Sequence, residues 1–303
     1  MIKGLAITPP VIGRISIGRM VEKNGKRLPE KDDCFTITSQ VQNREGWMLH
    51  PLHAQYADAA ESKLRSIPVR MLFNDTDLNL RAEYTLFDRS TGRPVCVGNG
   101  QTAKRCEEEG IADVTCPAPE GCSFGREAGC KLYGRLNVQI EGQDDELGSF
   151  IFRTTGYNSV RTLAARLRYF EAVSGGNTKH LPLMLRLRAK STTQSHRSAV
   201  FYVDLTLRKG DTLSEAVCYA RAEALRQADA GVETAMLEEA ARQALANGVF
   251  EDSEDEATAI VEEFFPEQET PQAPAESLEG QFQSNAHARP NRVTPRLGKG
   301  EQP

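Results

Sequence analysis

The stretch that decides the fold reads LYGRLNVQI at 132–140, EGQDDE at 141–146 and LGSFIFRT at 147–154. Much of each flank alternates apolar with polar residues, which is the period of a half-buried β-strand. The segment between them is acidic and contains glycine, as turns often do. We therefore predict a β-hairpin at the centre of the chain.

The elements around this hairpin mix strands and helices without a regular alternation. A helix capped by Asn158 or Ser159 is predicted directly after it, running to about Val173 before Gly175 and Gly176. Further strand patterns lie at 11–21, 34–41, 67–73, 80–87, 93–97, 181–188 and 199–207, and helical composition at 54–66. Because no βαβ repeat emerges, the pattern predicts an α+β fold with a mixed or antiparallel sheet core.

The last third of the chain differs from this core in composition. Thr212 and Glu215 have the spacing of a capping box and precede a helical stretch that Gly231 is expected to split. Residues 251–269 hold nine Asp and Glu and no Lys or Arg, and the residues after them are rich in Gln, Pro and Ser. We therefore divide the chain into an α+β core at 1–209, a helical extension at 210–250, and an acidic segment with a disordered tail at 251–303.

Composition indicates a globular protein of a reducing compartment. Of the 303 residues, 39% are hydrophobic and 26% charged, and no stretch approaches the roughly 20 apolar residues that cross a bilayer. The first residues lack the apolar core of a signal peptide. We expect a cytoplasmic protein with no membrane partner, in which the seven cysteines are metal ligands or free thiols rather than disulfides.

Four cysteines fall within one short segment, at 106–130. The spacing is Cys106-x9-Cys116-x5-Cys122-x7-Cys130, and four thiolates are the number that a closed tetrahedral zinc site needs. The segment is rich in Pro and Gly, so we expect little regular structure there and a loop ordered by the metal. An iron–sulfur cluster and unrelated thiols remain alternatives.

Catalytic signatures are weak by comparison. His50 and His53, with Asp58 nearby, are a candidate for a hydrolytic metal site. Two histidines without an identifiable third ligand are more often structural. We assign no catalytic residue and favour a non-enzymatic protein, with a metal-dependent hydrolase or nuclease as the alternative.

Basic residues are concentrated in the middle of the chain. Residues 153–209 hold 11 Lys and Arg against 2 Asp and Glu, a balance of +9, whereas the whole chain carries −5. Such a surplus can contact phosphate or can be neutralised by the protein's own acidic segment. The candidate nucleic-acid-binding residues are Arg153, Arg161, Arg166, Arg168, Arg186 and Arg188.

Aromatic residues offer two further hypotheses. Trp47, the only tryptophan, is expected to be a core residue rather than a platform for stacking bases. Phe264 and Phe265 lie in acidic surroundings, and a third hypothesis makes them a docking peptide for single-strand binding machinery.

Three motifs together resemble a phage protein family. They are the cysteine-rich run Cys116 to Cys130 followed by KLYGRL, the run GSFIFRTTGYNSV at 148–160, and the LPLML strand at 181–185. Over roughly 12–208 the chain resembles the recombination directionality factors that accompany large serine integrases. It also resembles related proteins of integrative elements often labelled hydrolase or metal-binding protein.

The resemblance implies a mobile-element accessory protein that binds a recombinase or another DNA-processing protein, DNA, or both. It also implies that Cys106, Cys116, Cys122 and Cys130 are the metal ligands. The acidic helical extension departs from the compact phage proteins of this kind, so the resemblance does not carry the integrase-switching activity over by itself.

Overall fold

The fold is built on one mixed β-sheet. The computed structural model describes residues 10–23, 26–44, 46–57, 63–191, 193, 198–247, 260–261 and 263–265. The strands are β1 Val11–Lys23, β2 Lys26–Asn43, β3 Gly46–Leu49, β4 Ser66–Met71, β5 Leu80–Phe87, β6 Pro94–Gly98, β7 Thr102–Glu107, β8 Gly110–Thr115, β9 Lys131–Ile140, β10 Ser149–Thr154, β11 Leu183–Lys190 and β12 Val200–Leu207.

Seven helices accompany the sheet in the described part of the chain. They are α1 Pro51–Tyr56, α2 Thr76–Asn79, α3 Ala118–Gly121, α4 Ser123–Ala128, α5 Tyr157–Ser174, α6 Leu213–Asp229 and α7 Thr234–Asn247, and a 3-10 turn spans Thr178–His180. None of these described helices has the length and apolar content that crossing a membrane would require.

Strand order confirms the predicted α+β class and the central hairpin. The main path runs β3-β2-β1-β10-β9-β5-β6-β7-β8, and β4 joins β9 to a second ladder of β11 and β12. β1 pairs parallel with β10, whereas the other pairs are antiparallel. Asn24 and Gly25, read as a hairpin signal, lie outside the described residues.

The two faces of the central strands have different chemistry because side chains alternate across a sheet. Ile15, Phe152, Leu136 and Leu80 stand opposite one another on β1, β10, β9 and β5 and define the core face. The long helix α5 covers this face with Leu163, Leu167 and Phe170, all of which belong to the main buried cluster. The residues between these apolar positions point to the opposite side of the sheet.

Three local predictions were wrong. Segment 106–130 contains β8, α3, α4 and the end of β7, because Gly110, at φ +132°, allows a tight turn between two short strands. Of the predicted helix at 54–66, residues 54–56 belong to α1, which ends at Tyr56, and Ser66 already begins β4. Residues 58–62 lie outside the described part of the chain.

The predicted caps of α5 are also not its caps. Its N-cap is Gly156. The Ser159 hydroxyl instead accepts a hydrogen bond from the Val203 amide at 3.1 Å, and the Asn158 side chain accepts one from Lys190 at 2.6 Å. Both side chains are therefore used for tertiary contacts.

The helical extension packs on the core. The Thr212–Glu215 capping box that starts α6 is present, and α6 and α7 are separate helices on either side of Gly231, as predicted. Ala216 and Ala220 of α6 join the main buried cluster, and the α7 residue Ala241 packs in a second cluster with Leu72, Phe73 and Leu78.

Candidate functional site

A small cavity at the β5–β8 end of the core face is lined by four cysteines. Its volume is about 20 Å³, enough for about one water-sized atom. The cysteines are Cys96, Cys116, Cys122 and Cys130. The wall also includes Tyr84, Leu86, Gly98, Ala103, Arg105 and Phe124.

Each of the four cysteines comes from a different place in the fold. Cys96 lies in β6, and Cys116 directly follows β8. Cys122 separates α3 from α4, and Cys130 directly precedes β9. The β6–β7–β8 meander and the two short helices thus converge on one point.

Two glycines allow this close approach. A Cβ added to Gly98 would lie 2.7 Å from the Cys116 sulfur, and one added to Gly125 would lie 2.8 Å from Cβ of Cys130. The Gly125 amide also donates a hydrogen bond to the Cys122 sulfur at 3.2 Å. Through this hydrogen bond Cys122 is the N-cap of α4.

Cys106 does not line this cavity. In β7 the side chains of Ala103 and Arg105 point into it, so Cys106, one residue further on, points to the other side of the strand. It is exposed, and its thiol donates a weak hydrogen bond to the Pro94 carbonyl at 3.9 Å. Of the four cysteines selected from the sequence, the structure therefore brings three together and adds Cys96.

The Cys130 thiol of the cavity is held in its neutral form when no cation is present. Burial, and after it the neighbouring Cys96, Cys116 and Cys122, raise the pKa of Cys130 to about 12. Burial also raises the pKa of Cys106. A bound cation would reverse this balance, because it attracts the thiolates that otherwise repel one another.

No three sulfurs of the cavity all lie within 4.8 Å of one another, so they are farther apart than the ligands of one metal ion. Among the described residues, the one group of three potential ligands within 4.8 Å of one another is Asp32, Asp33 and Cys34. Asp33 already pairs with Lys63 and Arg65, and their hydrogen bonds lower the pKa of its carboxyl to about 2. The Asp33 carboxylate is thus used in surface ion pairs, and we assign this group no metal.

His50 and His53 serve local backbone contacts. Nδ1 of His50 accepts a hydrogen bond from the Leu52 amide at 3.3 Å, and Nδ1 of His53 accepts one from the Ile37 amide at 3.4 Å. Burial lowers the pKa of both rings, so they are neutral near pH 7. In a neutral ring whose Nδ1 accepts a hydrogen bond, the proton is on Nε2. Neither ring nitrogen then offers a lone pair to a metal in this arrangement. Asp58 lies outside the described residues.

The six arginines predicted to bind nucleic acid do not share one surface. Arg166 of α5 and Arg188 of β11 both bond to Asp204, which is only 2% exposed, at 3.0 and 2.6 Å. Arg168 pairs with Asp77 near the surface. Arg161 is exposed on α5 and Arg186 is half-buried on β11. Arg153 alone points to the opposite side of the central strands.

That opposite side carries a row of arginines, here called the arginine face: Arg14, Arg153, Arg135 and Arg81. Arg153, Arg135 and Arg81 stand directly opposite one another on β10, β9 and β5. Arg14 lies on the neighbouring strand β1, two residues out of register with Arg153. Three of them are buried, with exposures of 7% for Arg14 and 6% for Arg135 and Arg153. Glu83 bonds to Arg135 at 2.8 Å and to Arg81 at 2.9 Å.

Aromatic rings border the arginine face at both ends. Arg14 lies over the Trp47 ring at 4.3 Å. At the other end Tyr133 and Phe87 meet edge to face at 5.5 Å between ring centres. Trp47 was expected to be a core residue; it is half-buried at the edge of this face.

Residues 260–261 and 263–265, here called the C-terminal segment, cover the arginine face. Glu263 pairs with Arg14 at 2.8 Å. The Phe265 ring lies 4.7 Å from that of Phe87, and Lys131 lies over it at 4.5 Å. Ile260 and Val261 complete a buried cluster with these rings. Burial raises the pKa of Glu263 although Arg14 and Arg153 act to lower it.

Sequence reasoning missed Cys96 and three of the four arginines of this row. Cys96 and Gly98 alternate in a strand, which places both on one face, but only the pairing with β7 and β8 brings that face to Cys116. Arg14, Arg81 and Arg135 are far apart in sequence, and their alignment follows from strand register. Register depends on the whole sheet, so no local pattern predicted it.

A comparison with protein families identifies a family that covers the sheet core. The profile of a family described as Gp3-like, recombination directionality factor-like, matches residues 12–208. Comparisons with curated proteins and with solved structures gave no significant match. The matched region contains the cysteine cavity and the arginine face, and it confirms the resemblance seen in the sequence.

Proposed function

Because the chain belongs to the Gp3-like, recombination directionality factor-like family, we propose that it is a zinc-stabilised, non-enzymatic accessory protein of DNA recombination that binds a recombinase, DNA or both. The family supports the accessory role in phage or integrative-element recombination. The single observation that carries the zinc is the convergence of four cysteines from separate elements on one cavity.

The proposed ligands are Cys96, Cys116, Cys122 and Cys130. Their chemistry fits zinc, because four thiolates are one of the ligand sets of closed structural zinc sites. The cavity of about 20 Å³ suits a single ion better than a multi-iron cluster. The cysteines would close around the ion from their present wider spacing. The ion would stabilise the β6–β8 region and leave no open position for catalysis.

The chain offers a matched pair of variants for this ligand set. Cys96→Ser removes a proposed ligand, whereas Cys106→Ser changes an exposed thiol in the neighbouring strand. We expect purified wild type and Cys106→Ser to contain about one zinc per chain by elemental analysis, and Cys96→Ser to contain far less. Equal zinc in the two variants, or loss only in Cys106→Ser, would contradict the proposed ligand set.

The accessory role is tested with the recombinase encoded by the same genetic element. Recombination between its attachment sites is measured in both directions with and without the protein, and binding to the recombinase is measured by pull-down of purified proteins. We expect a change in direction or yield together with direct binding to the recombinase, to site DNA or to both. Failure of all these measurements with zinc-loaded protein would overturn the role.

The same preparation tests the hydrolase alternative. His50→Ala should leave zinc content and recombination activity unchanged, because the His50 ring serves the local backbone. Loss of a measured hydrolytic activity in this variant, with zinc retained, would contradict the non-enzymatic assignment.

A further inference from the structure

The arginine face concentrates positive charge where the sheet is covered. Arg14, Arg81, Arg135 and Arg153 lie in one row, and carboxylates pair with three of them: Glu263 with Arg14, and Glu83 with Arg81 and Arg135. All four arginines make further interactions besides these. Burying charge costs free energy unless anions accompany it, and the carboxylate that pairs with Arg14 on this face comes from the C-terminal segment.

The chain itself shows what the face accepts. The C-terminal segment presents a helical backbone at 260–261 and 263–264, a carboxylate on Arg14 and a phenyl ring between Phe87 and Lys131. Its apolar residues Ile260, Val261 and Phe265 are buried there. The occupant is thus an amphipathic helical turn that combines acidic and aromatic side chains, rather than a bare polyanion.

The face and its cover are separate features of the chain. The strands that carry the arginines lie inside the region matched to the family, at 12–208, and the C-terminal segment lies outside it. Within this contact the desolvation of Glu263 offsets part of its attraction to Arg14. A contact of this kind can be exchanged for a partner that makes similar interactions over a larger area.

We propose that the arginine face is a docking surface for an acidic helical segment with aromatic side chains on a partner protein, and that the C-terminal segment occupies it in cis as a displaceable cover. This inference rests on the proposed function, since it names the surface through which the accessory protein would bind. The partner's segment can bind only after the C-terminal segment has left the arginine face, so binding depends on that opening.

The test uses the full chain and a labelled peptide with the sequence of residues 251–269. The double variant Glu263→Gln with Phe265→Ala weakens the cover, whereas Glu107→Gln changes an exposed glutamate elsewhere. We expect the cover variant to bind the peptide at least tenfold more tightly than wild type and Glu107→Gln. High salt should weaken this binding. Fluorescence of Trp47, the only tryptophan, reports the event because Arg14 lies on its ring.

A third variant locates the peptide on the face. Adding Arg14→Gln to the cover variant should lower peptide binding at least fivefold, while melting temperature and zinc content show that the core is folded. Equal peptide binding by wild type and a folded cover variant would overturn the proposal. So would a single-stranded oligonucleotide that binds the cover variant more tightly than the peptide, because the face would then be a nucleic-acid surface. Neither of these two results depends on the recombination assay. A failure of the docking proposal can therefore be distinguished from a failure of the proposed recombination role.

Discussion

Two regions of the core face use the same sheet in opposite ways. Under α5 the face is filled by large apolar side chains such as Phe152, Leu136 and Leu163, which are at most 1% exposed. At the β5–β8 end it is lined by four half-buried cysteines around a cavity. The first region is stabilised by the burial of apolar side chains. The second has fewer large apolar side chains at its centre and would be ordered by a bound ligand.

The largest effect is expected in the apolar region. Leu136→Ala should lower the free energy of unfolding by about 3–5 kcal/mol, because a fully buried leucine leaves a cavity when truncated. Chemical denaturation measures the change. Leu147→Ala is the control, since Leu147 is 77% exposed. If both variants lose the same stability, the assignment of the core to this side of the sheet is wrong.

Acid should weaken the apolar region through His180. Burial lowers the pKa of this ring to about 4 from 6.5, and its exposure is only 3%. The unfolded chain therefore binds the proton first, and stability is lost as pH falls from about 6.5 to about 4. At 1.36 kcal/mol per pH unit the loss is about 3 kcal/mol.

Denaturation at pH 7 and pH 4 in wild type and His180→Gln isolates this contribution. The variant should lose less stability on acidification than wild type, by most of that amount. Metal release in acid affects both proteins equally and cancels in the comparison. Identical losses in the two proteins would show that His180 is not buried in its neutral form.

These two regions also differ in how much of them the sequence predicted. The strands of the core follow from alternation, so the predicted strand 80–87 has the bounds of β5 and 132–140 falls within β9. The capping box at Thr212 was equally local and was confirmed. The cysteine cavity required the register of β6 with β7 and of β7 with β8, which the spacing of the cysteines alone does not encode. Spacing therefore selected Cys106, the neighbour in sequence, and passed over Cys96, the neighbour in space.

A smaller effect is expected from closing the space beside Cys116. In Gly98→Ala the new methyl would lie 2.7 Å from both the Cys116 sulfur and the Ala103 Cβ, so atoms must shift. Overpacking of this kind costs about 1–3 kcal/mol. We expect reduced zinc content with the core still folded, by elemental analysis and circular dichroism. Gly121→Ala, whose new methyl meets only Pro117, should retain zinc, and a loss of zinc there as well would show that the effect is not specific to the cavity wall.

The smallest effect concerns the contact between β7 and α4. Arg105 lies 4.0 Å above the Phe124 ring, which is 42% exposed. An exposed cation–π contact contributes about 0.5–1 kcal/mol. Because Phe124 is in the helix that follows Cys122, a zinc ion would hold that helix in place without the ring. Phe124→Leu should therefore lower the melting temperature of chelator-treated protein by a few degrees, while zinc-loaded protein changes less. If the zinc-loaded protein loses as much as the chelated one, side-chain packing rather than a metal holds this end of the sheet, and the contrast between the two regions disappears.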